Sequence, residues 1–493
     1  MSQSLQKLLA GWADAPDIEV TGVETDSRHV TPGDLFLAAQ GVGSHGLSYV
    51  ETALENGASA VAWEPAPGIA EPAELPVPQV AVAGLAKLVG AIASRFYQNP
   101  AGKLFTVGVT GTDGKTSTAF LIAQALDALG ADCGYLGTIG YGRIGSLKEA
   151  SHTTPDAIRL QQLFAGFAEQ KLKACAMEVS SHALDQARVS GIAFDAAVLT
   201  NVTRDHLDYH GTVAAYAAAK KKLFTSYTRG ALILNRDDST GAAWAQEFAA
   251  RPSMAERLTV YGLDGEPATP RFVLGKNLQL SASGISFDVD SAWGAAHLRS
   301  RLLGRFNAYN LLACLAVLLN KGVAIARVVE VLGQVQTVPG RIEGYTGPNS
   351  KPLVVVDYAH TPEALAQILK AVRAHCSGKL ICVFGCGGDR DRGKRPLMGA
   401  VASENADVVI VTDDNPRSES PAGITAEIIA GAGPKAIVEH DRAEAIRKAV
   451  AMANAGDVVV VAGKGHETTQ TYGTEVRTFS DRAFVAALVG SKA

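Results

Sequence analysis

The sequence predicts an α/β protein of three domains: a small α/β N-terminal domain, a central parallel-sheet domain with an antiparallel extension, and a C-terminal Rossmann-like α/β domain. Three observations predict it. The chain has 493 residues, too many for one core, and 47% of them are apolar against 19% charged. From residue 105 onward, short apolar runs alternate with helical stretches, the signature of a parallel sheet covered on both faces. After Val338-Pro339-Gly340-Arg341 the same alternation starts again. The expected boundaries are 1–100, 101–338 and 339–493.

Residues 1–98 read as short strands and turns ending in a helix, and Gln98-Asn99-Pro100-Ala101-Gly102 reads as a linker. In the central part, strands are expected at 105–109, 174–179, 196–200 and 231–234. Residues 271–303 switch to strict alternation, which predicts antiparallel strands. The helix FNAYNLLACLAVLLNKG is expected to end at Lys321-Gly322. In the last part, the runs at 353–356, 379–384, 408–412 and 457–462 lead into DYAHTPE, GCGGDRDRGKR, DDNPRSES and GKGHET. In open sheets of this kind ligands gather at the carboxyl ends of the strands.

A net charge of -4 with no basic block argues against nucleic acid. The six cysteines form no paired CxxC set, so neither a disulfide framework nor a metal knuckle is expected, and Cys382 and Cys386 read as structural thiols. No apolar stretch approaches the ~20 residues that span a bilayer. The first residues carry neither a basic leader nor a long apolar core. A cytoplasmic monomer without membrane insertion is the expectation.

The strongest local signal is FTVGVTGTDGKTSTAFLIAQAL, a strand, a glycine-rich loop and a helix. The glycines turn backbone N–H groups toward a phosphate and the helix N-terminus adds partial positive charge. Thr110, Gly111, Thr112, Asp113, Gly114, Lys115, Thr116 and Ser117 form this candidate P-loop. Lys115 would reach the β- and γ-phosphates of a nucleoside triphosphate and the Thr116 hydroxyl would ligate magnesium, which leaves open a switch-type NTPase or a motor. It is a variant of G-x-x-x-x-G-K-[ST], because Val109 stands where the first glycine belongs. The nearest guanine-reading sequence, Asn320-Lys321-Gly322-Val323, lacks its aspartate, which disfavours GTP.

TGTDGKTS joined to MEVSSHALDQAR, TNVTRDHLDYHG, YAAAKKKLF, VDYAHTPEAL and GKGHE resembles the Mur ligase family, in order and over nearly the whole chain. The family makes amide bonds at the expense of ATP during cytoplasmic peptidoglycan precursor synthesis. One departure is Asp113, where the family's loop more often has asparagine. The resemblance implies that residues 1–100 bind a UDP-sugar, the central part ATP, and the last part an amino acid. It assigns Lys115, Glu178, His206 and Lys220 to catalysis, and Thr116, Glu178, His206 and Lys220 to magnesium. Lys220 would act as a carbamate, formed with carbon dioxide. Asn310, Arg341, Asp357 and His360 would touch ATP, with Arg341 brought in by domain closure.

Ser27, Val42, Gly43 and Ser44 would hold the uridine end of UDP-N-acetylmuramoyl-L-alanyl-D-glutamate. Thr153, Thr154, Ser180, Gln186 and Arg188 would hold its muramoyl-peptide side. Asp-Asn-Pro-Arg is the family pattern that accompanies meso-diaminopimelate rather than lysine. Arg390, Asp414, Asn415, Pro416, Arg417, Gly463 and Glu467 are the residues expected to bind that amino acid. A cation at Arg417 suits the carboxylate by which diaminopimelate differs from lysine, and it would repel a lysine ammonium. Three alternatives stand beside this: a lysine-adding ligase, folylpolyglutamate synthase, and an ATP-driven switch without ligation.

Overall fold

The structure, a computed structural model, describes residues 1–41, 43–150, 152–346 and 352–490. It divides into two compact units. One comprises Met1–Tyr261, Ala268–Phe272 and Ala316–Lys321, the other Gly262–Pro267, Val273–Leu315 and Gly322–Ala493.

The first unit begins with a parallel sheet of strands Gly22–Glu24, Asp34–Ala38, Ala60–Trp63 and Gln79–Ala81, adjacent in that order. Helix Leu85–Phe96 buries Leu85, Val89, Ile92 and Phe96, a stripe at helical spacing, in one core with Leu35 and Leu37. The second sheet of this unit runs Gly140–Arg143, Cys133–Gly137, Ala174–Glu178, Phe105–Thr110, Phe194–Leu199, Thr228–Asn235 and Leu258–Leu263. Among these seven strands only Gly140–Arg143 is antiparallel to its neighbour. Phe105–Thr110 is its pivot. The chain leaves it toward Cys133–Gly137, returns to Ala174–Glu178, then crosses to Phe194–Leu199 on its other side. That reversal opens a crevice at the carboxyl end of Phe105–Thr110, where the glycine-rich loop stands.

In the second unit the alternating stretch forms the antiparallel meander Phe272–Ser281, Gly284–Ser291 and Gly294–Ser300. Helix Arg305–Asn320 follows, and Gly322 takes the left-handed turn after it at φ +90°. Buried His375 ties this region together. Its Nδ1 lies 2.6 Å from the Ser281 carbonyl and its Nε2 accepts from the Gly304 N–H at 2.7 Å. The sheet of this unit runs Glu343–Tyr345, Leu353–Asp357, Val458–Ala462, Leu380–Phe384, Val408–Val411 and Ile437–Val438, parallel except for the first strand. Val355, Val460, Cys382 and Val411 face one core; Val354, Val459, Ile381 and Ile410 face another. That two-sided burial is why these strands read as unbroken apolar runs. The strand formed last in sequence lies between the first two parallel ones, so the loop GKGHE emerges between DYAHTPE and GCGGDRD. Among the described residues no helix is long and apolar enough to cross a membrane.

Candidate functional site

In the first unit the phosphate loop is shaped by residues Thr200 and Asn201, which follow strand Phe194–Leu199. Gly111 has φ +152°, and a Cβ there would lie 1.8 Å from Thr200 Oγ1, so a side chain has no room. The Thr112 N–H donates to the Asn201 carbonyl at 2.8 Å and the Asp113 N–H to Asn201 Oδ1 at 3.0 Å. Thr200 Oγ1 and Asn201 Nδ2 donate back to the Asp113 carbonyl at 2.6 and 3.1 Å. The Asp113 side chain is exposed. Gly114, at φ +80°, opens helix Lys115–Ala128. Lys115 Nζ donates to the Gly111 and Thr112 carbonyls at 3.0 and 2.8 Å, folded over its own loop. Burial lowers its pKa, with Glu178, Asp113 and Asp205 pulling the other way. The Thr110 hydroxyl is buried without a hydrogen-bond partner among the described residues, and Ser117 is half-buried.

Glu178, fully buried at the end of its strand, accepts four hydrogen bonds from the described residues. Tyr135 OH (2.6 Å) and Thr138 N–H (2.8 Å) donate to Oε1; Thr116 Oγ1 (2.9 Å) and Thr138 Oγ1 (3.2 Å) donate to Oε2. The three successive lysines of helix Val213–Ser226 divide sharply. Lys221 pairs with Glu247 and Lys222 with Asp185. Lys220 is 1% exposed, donates to the Gly111 carbonyl at 2.6 Å and lies 4.3 Å over the Tyr216 ring. Burial, then repulsion by Lys115, brings its pKa from 10.5 down to about 6. It is therefore largely a neutral, nucleophilic amine at pH 7.

His206 does not hydrogen-bond to Thr116, Glu178 or Lys220. It has φ +50°, is half-exposed with Asp205 3.4 Å away, and packs on the rings of His182 at 4.8 Å and Tyr216 at 6.0 Å. Tyr216 OH in turn is 3.2 Å from Thr112 Oγ1. Among the described residues no group of three or more His, Cys, Asp or Glu is arranged to hold a metal ion. What is present suits magnesium, which takes hard oxygen ligands, one or two carboxylates with waters and phosphates, rather than a closed protein cage. Thr116 Oγ1 beside Glu178 Oε2 is such a partial set.

Arg188 presents a positive group held by neutral oxygens. It donates to Gln186 Oε1 at 2.9 and 2.6 Å and to the Thr154 carbonyl at 2.9 Å. Thr154 Oγ1 donates to the Glu178 carbonyl at 3.0 Å and accepts from the Ser180 N–H at 3.1 Å, while Thr153 Oγ1 lies 3.1 Å from Thr138 Oγ1. The sequence-predicted peptide-side residues thus form one hydrogen-bonded group around Glu178. The candidate uridine residues are more dispersed. Ser27 is buried, with its carbonyl accepting from Asn56, Ser44 is 3.1 Å from Tyr49 OH, Gly43 is exposed, and Val42 lies outside the described residues.

In the second unit, Asp357 is buried and accepts from the Ile342 and Ala359 N–H groups at 2.8 and 2.7 Å; burial raises its pKa. Arg341 and His360 are exposed, and Asn310 is buried with its amide donating to Asn307. The loop after Val408–Val411 is fixed from beneath by a fully buried ion pair. Arg442 Nε and Nη2 donate to Asp481 at 2.7 and 2.8 Å, and Nη2 also to the Ala462 carbonyl at 2.9 Å. Buried Asp414 and Asn415 face Lys464 Nζ at 3.5 Å each. Desolvation raises the Asp414 pKa against the pull of Arg442 and Lys464. Glu467 Oε2 accepts from Asn415 and Lys464, both at 3.0 Å.

Arg417 stands at φ +51°, pinned through its N–H to Thr471 (2.9 Å) of the hairpin Thr469–Tyr472 and Glu475–Thr478. Its Nη1 donates to the Gly388 carbonyl at 2.7 Å. Arg390 is exposed, Pro416 is buried, and Gly463, at φ +116°, sits with its Cα side toward Asp414. Arg395, also fully buried, donates to Glu419 and Glu427 and to the Gly387 carbonyl, anchoring the GCGGDRD loop next door. Cys382 and Cys386 are free and buried, the latter 3.6 Å from the Met398 sulfur. Sequence reasoning did not single out Tyr135, Thr138, Asn201, Lys464 or Arg442. For Lys464 the signal was its place inside GKGHE, and for Asn201 its place inside TNVTRDHLDYHG; the others carry no local pattern.

Comparison with known proteins matches residues 19–97 to "Mur ligase family, catalytic domain", 109–318 to "Mur ligase middle domain" and 340–465 to "Mur ligase, glutamate ligase domain". The UDP-N-acetylmuramoyl-L-alanyl-D-glutamate–2,6-diaminopimelate ligase of Xanthomonas oryzae pv. oryzae (strain MAFF 311018) is 48% identical over 490 residues, 99% of this chain and 97% of that protein. The ligase of the same name from Alkalilimnicola ehrlichii is 48% identical over 499 residues, 99% of each chain. A solved structure bearing that name superposes with TM-score 0.80 at 35% identity, over 99% of both chains. Folylpolyglutamate synthase of Mycobacterium tuberculosis shares the fold at TM-score 0.55 and 18% identity, and covers 76% of this chain. The chain belongs to the Mur ligase family.

Proposed function

We propose that this chain is an ATP-dependent ligase that joins meso-diaminopimelate to UDP-N-acetylmuramoyl-L-alanyl-D-glutamate. The glutamate carboxylate attacks the γ-phosphorus of ATP, giving an acyl phosphate and ADP. The amino group of diaminopimelate then attacks the acyl carbon, phosphate leaves, and the amine loses a proton. The relatives' names supply the substrates, and the observation that carries the specificity is Arg417. It is a guanidinium presented at the carboxyl end of a strand by a buried loop, whose Asn415 amide donates to Glu467.

The phosphate loop N–H groups and Lys115 hold the β- and γ-phosphates, exchanging their present contacts with Asn201, Gly111 and Thr112 for phosphate oxygens. Arg188 grips a carboxylate of the muramoyl dipeptide, with Thr153, Thr154, Ser180 and Gln186 fixing its position. Thr116, Glu178, His206 and carbamylated Lys220 are the residues that would hold magnesium. When bound, the metal supplies neutralisation of phosphate charge. The Lys220 amine, neutral at pH 7, adds carbon dioxide and releases a proton, which turns a neutral position into an anionic one. Asn310, Arg341, Asp357 and His360 serve the nucleotide, Ser27 and the 42–44 turn the uridine. Arg417 and Arg390 take the carboxylates of diaminopimelate, while Glu467, Asp414 and the Gly463 backbone take its ammonium group.

Mass spectrometry of the uridine-containing product tests this. A mass gain of diaminopimelate less one water, dependent on ATP, is expected; recovery of unmodified substrate after complete ATP consumption would contradict it.

A further inference from the structure

Lys464 is, among the described residues, the one fully buried lysine beside the amino-acid loops, and its surroundings say what it does. Its Nζ is 3.0 Å from Glu467 Oε2 and 3.5 Å from both Asp414 Oδ1 and Asn415 Oδ1. Glu467 Oε2 is thereby committed, taking Lys464 and the Asn415 amide together. Its Oε1 takes no hydrogen bond from the described residues, and the side chain is 34% exposed. The formal charges are also informative. Arg442 and Asp481 cancel as a buried pair, which leaves Asp414, Glu467 and Lys464 with a net charge of -1. Without Lys464 two carboxylates would share one low-dielectric site, and they would repel each other or take up a proton.

We infer that Lys464 is a positioning residue for the ammonium group of the amino-acid substrate. It clamps Glu467 by one oxygen so that the other faces outward as a single acceptor of fixed direction and charge. It touches no substrate itself. This inference rests on the reading of the site as an amino-acid pocket.

The test is a double-mutant cycle on the full chain with ATP and the UDP-dipeptide saturating and meso-diaminopimelate varied. Wild-type turnover with diaminopimelate comes first, because its absence overturns the reading of the site itself rather than the role of Lys464. Lys464→Met is expected to raise the diaminopimelate KM roughly 10- to 100-fold, the range for losing a charge-assisted hydrogen bond. The kcat, and the ATP KM read in a second series with ATP varied, should stay within about threefold, and Lys464→Arg should recover part of the loss. In a Glu467→Gln background the same substitution should change the KM by less than about threefold, since the group it acts through is gone.

An undiminished effect in that background, or equal losses in kcat and every KM, would overturn the inference. Should Lys464→Met fail to fold, Lys464→Met with Asp414→Asn, which leaves no buried carboxylate unpaired, is compared with Asp414→Asn by the same criteria.

Discussion

Lys220 differs from its two neighbours in burial, and its chemistry follows from that. Lys221 and Lys222 each have a carboxylate partner; Lys220 has a carbonyl, an aromatic ring and Lys115 nearby. Its pKa falls to about 6 from 10.5, so between those values the folded chain holds one proton fewer than the unfolded chain. Stability at this site therefore rises with pH across that window, and at pH 7 the buried amine is a cost. Lys220→Met should raise the thermal midpoint at pH 7 by a few degrees while removing activity, as read by calorimetry beside a turnover assay. Lys220→Ala should lose more than the roughly 10- to 100-fold typical of groups that only support a metal ligand. Short-chain carboxylates added to it should restore part of the rate, and wild-type activity in the variant would contradict the carbamate assignment. Below pH 6 the amine protonates, so carbon-dioxide-dependent activity should drop about tenfold per pH unit. Arg188→Lys should raise the KM for the UDP-dipeptide about tenfold and leave that for ATP unchanged, because the forked donor set is lost but the charge is kept.

Loops hold these residues, and strands and helices hold the loops. The phosphate loop depends on Gly111: Gly111→Ala would drive a methyl group into Thr200 Oγ1 and should abolish ATP binding by calorimetric titration while the C-terminal unit stays folded. Beneath the DDNPR loop, Arg442→Met leaves Asp481 buried without its cation and should lower stability by about 3–5 kcal/mol in a denaturant titration.

These supports explain what the sequence did and did not disclose. Strands buried on both faces, such as Leu353–Asp357 and Val458–Ala462, announce themselves as apolar runs. Cys133–Gly137 and Gly140–Arg143 do not, because CGYLGTIGYGR is rich in glycine and reads as a loop; neighbouring strands impose its extension. Residue types that speak for themselves, a glycine-rich loop before a helix or an arginine in a turn, were legible. Partners brought from afar, such as Tyr135 on Glu178, 43 residues away, or Asp481 under Arg442, 39 residues away, were not.

At the scale of the whole chain, each unit carries its own cluster at the carboxyl ends of a parallel sheet, one with a phosphate loop and a neutral lysine, the other with an arginine presented by a buried acidic loop. On the proposed function, the choice of amino acid resides in the second unit. The central claim is that choice, and it is read most directly as phosphate released from ATP in the presence of UDP-N-acetylmuramoyl-L-alanyl-D-glutamate and one amino acid at a time. Meso-diaminopimelate should accelerate release and L-lysine should not, with Arg417→Ala raising the diaminopimelate KM by about tenfold or more. Release driven equally by L-lysine, or by no amino acid at all, would contradict it.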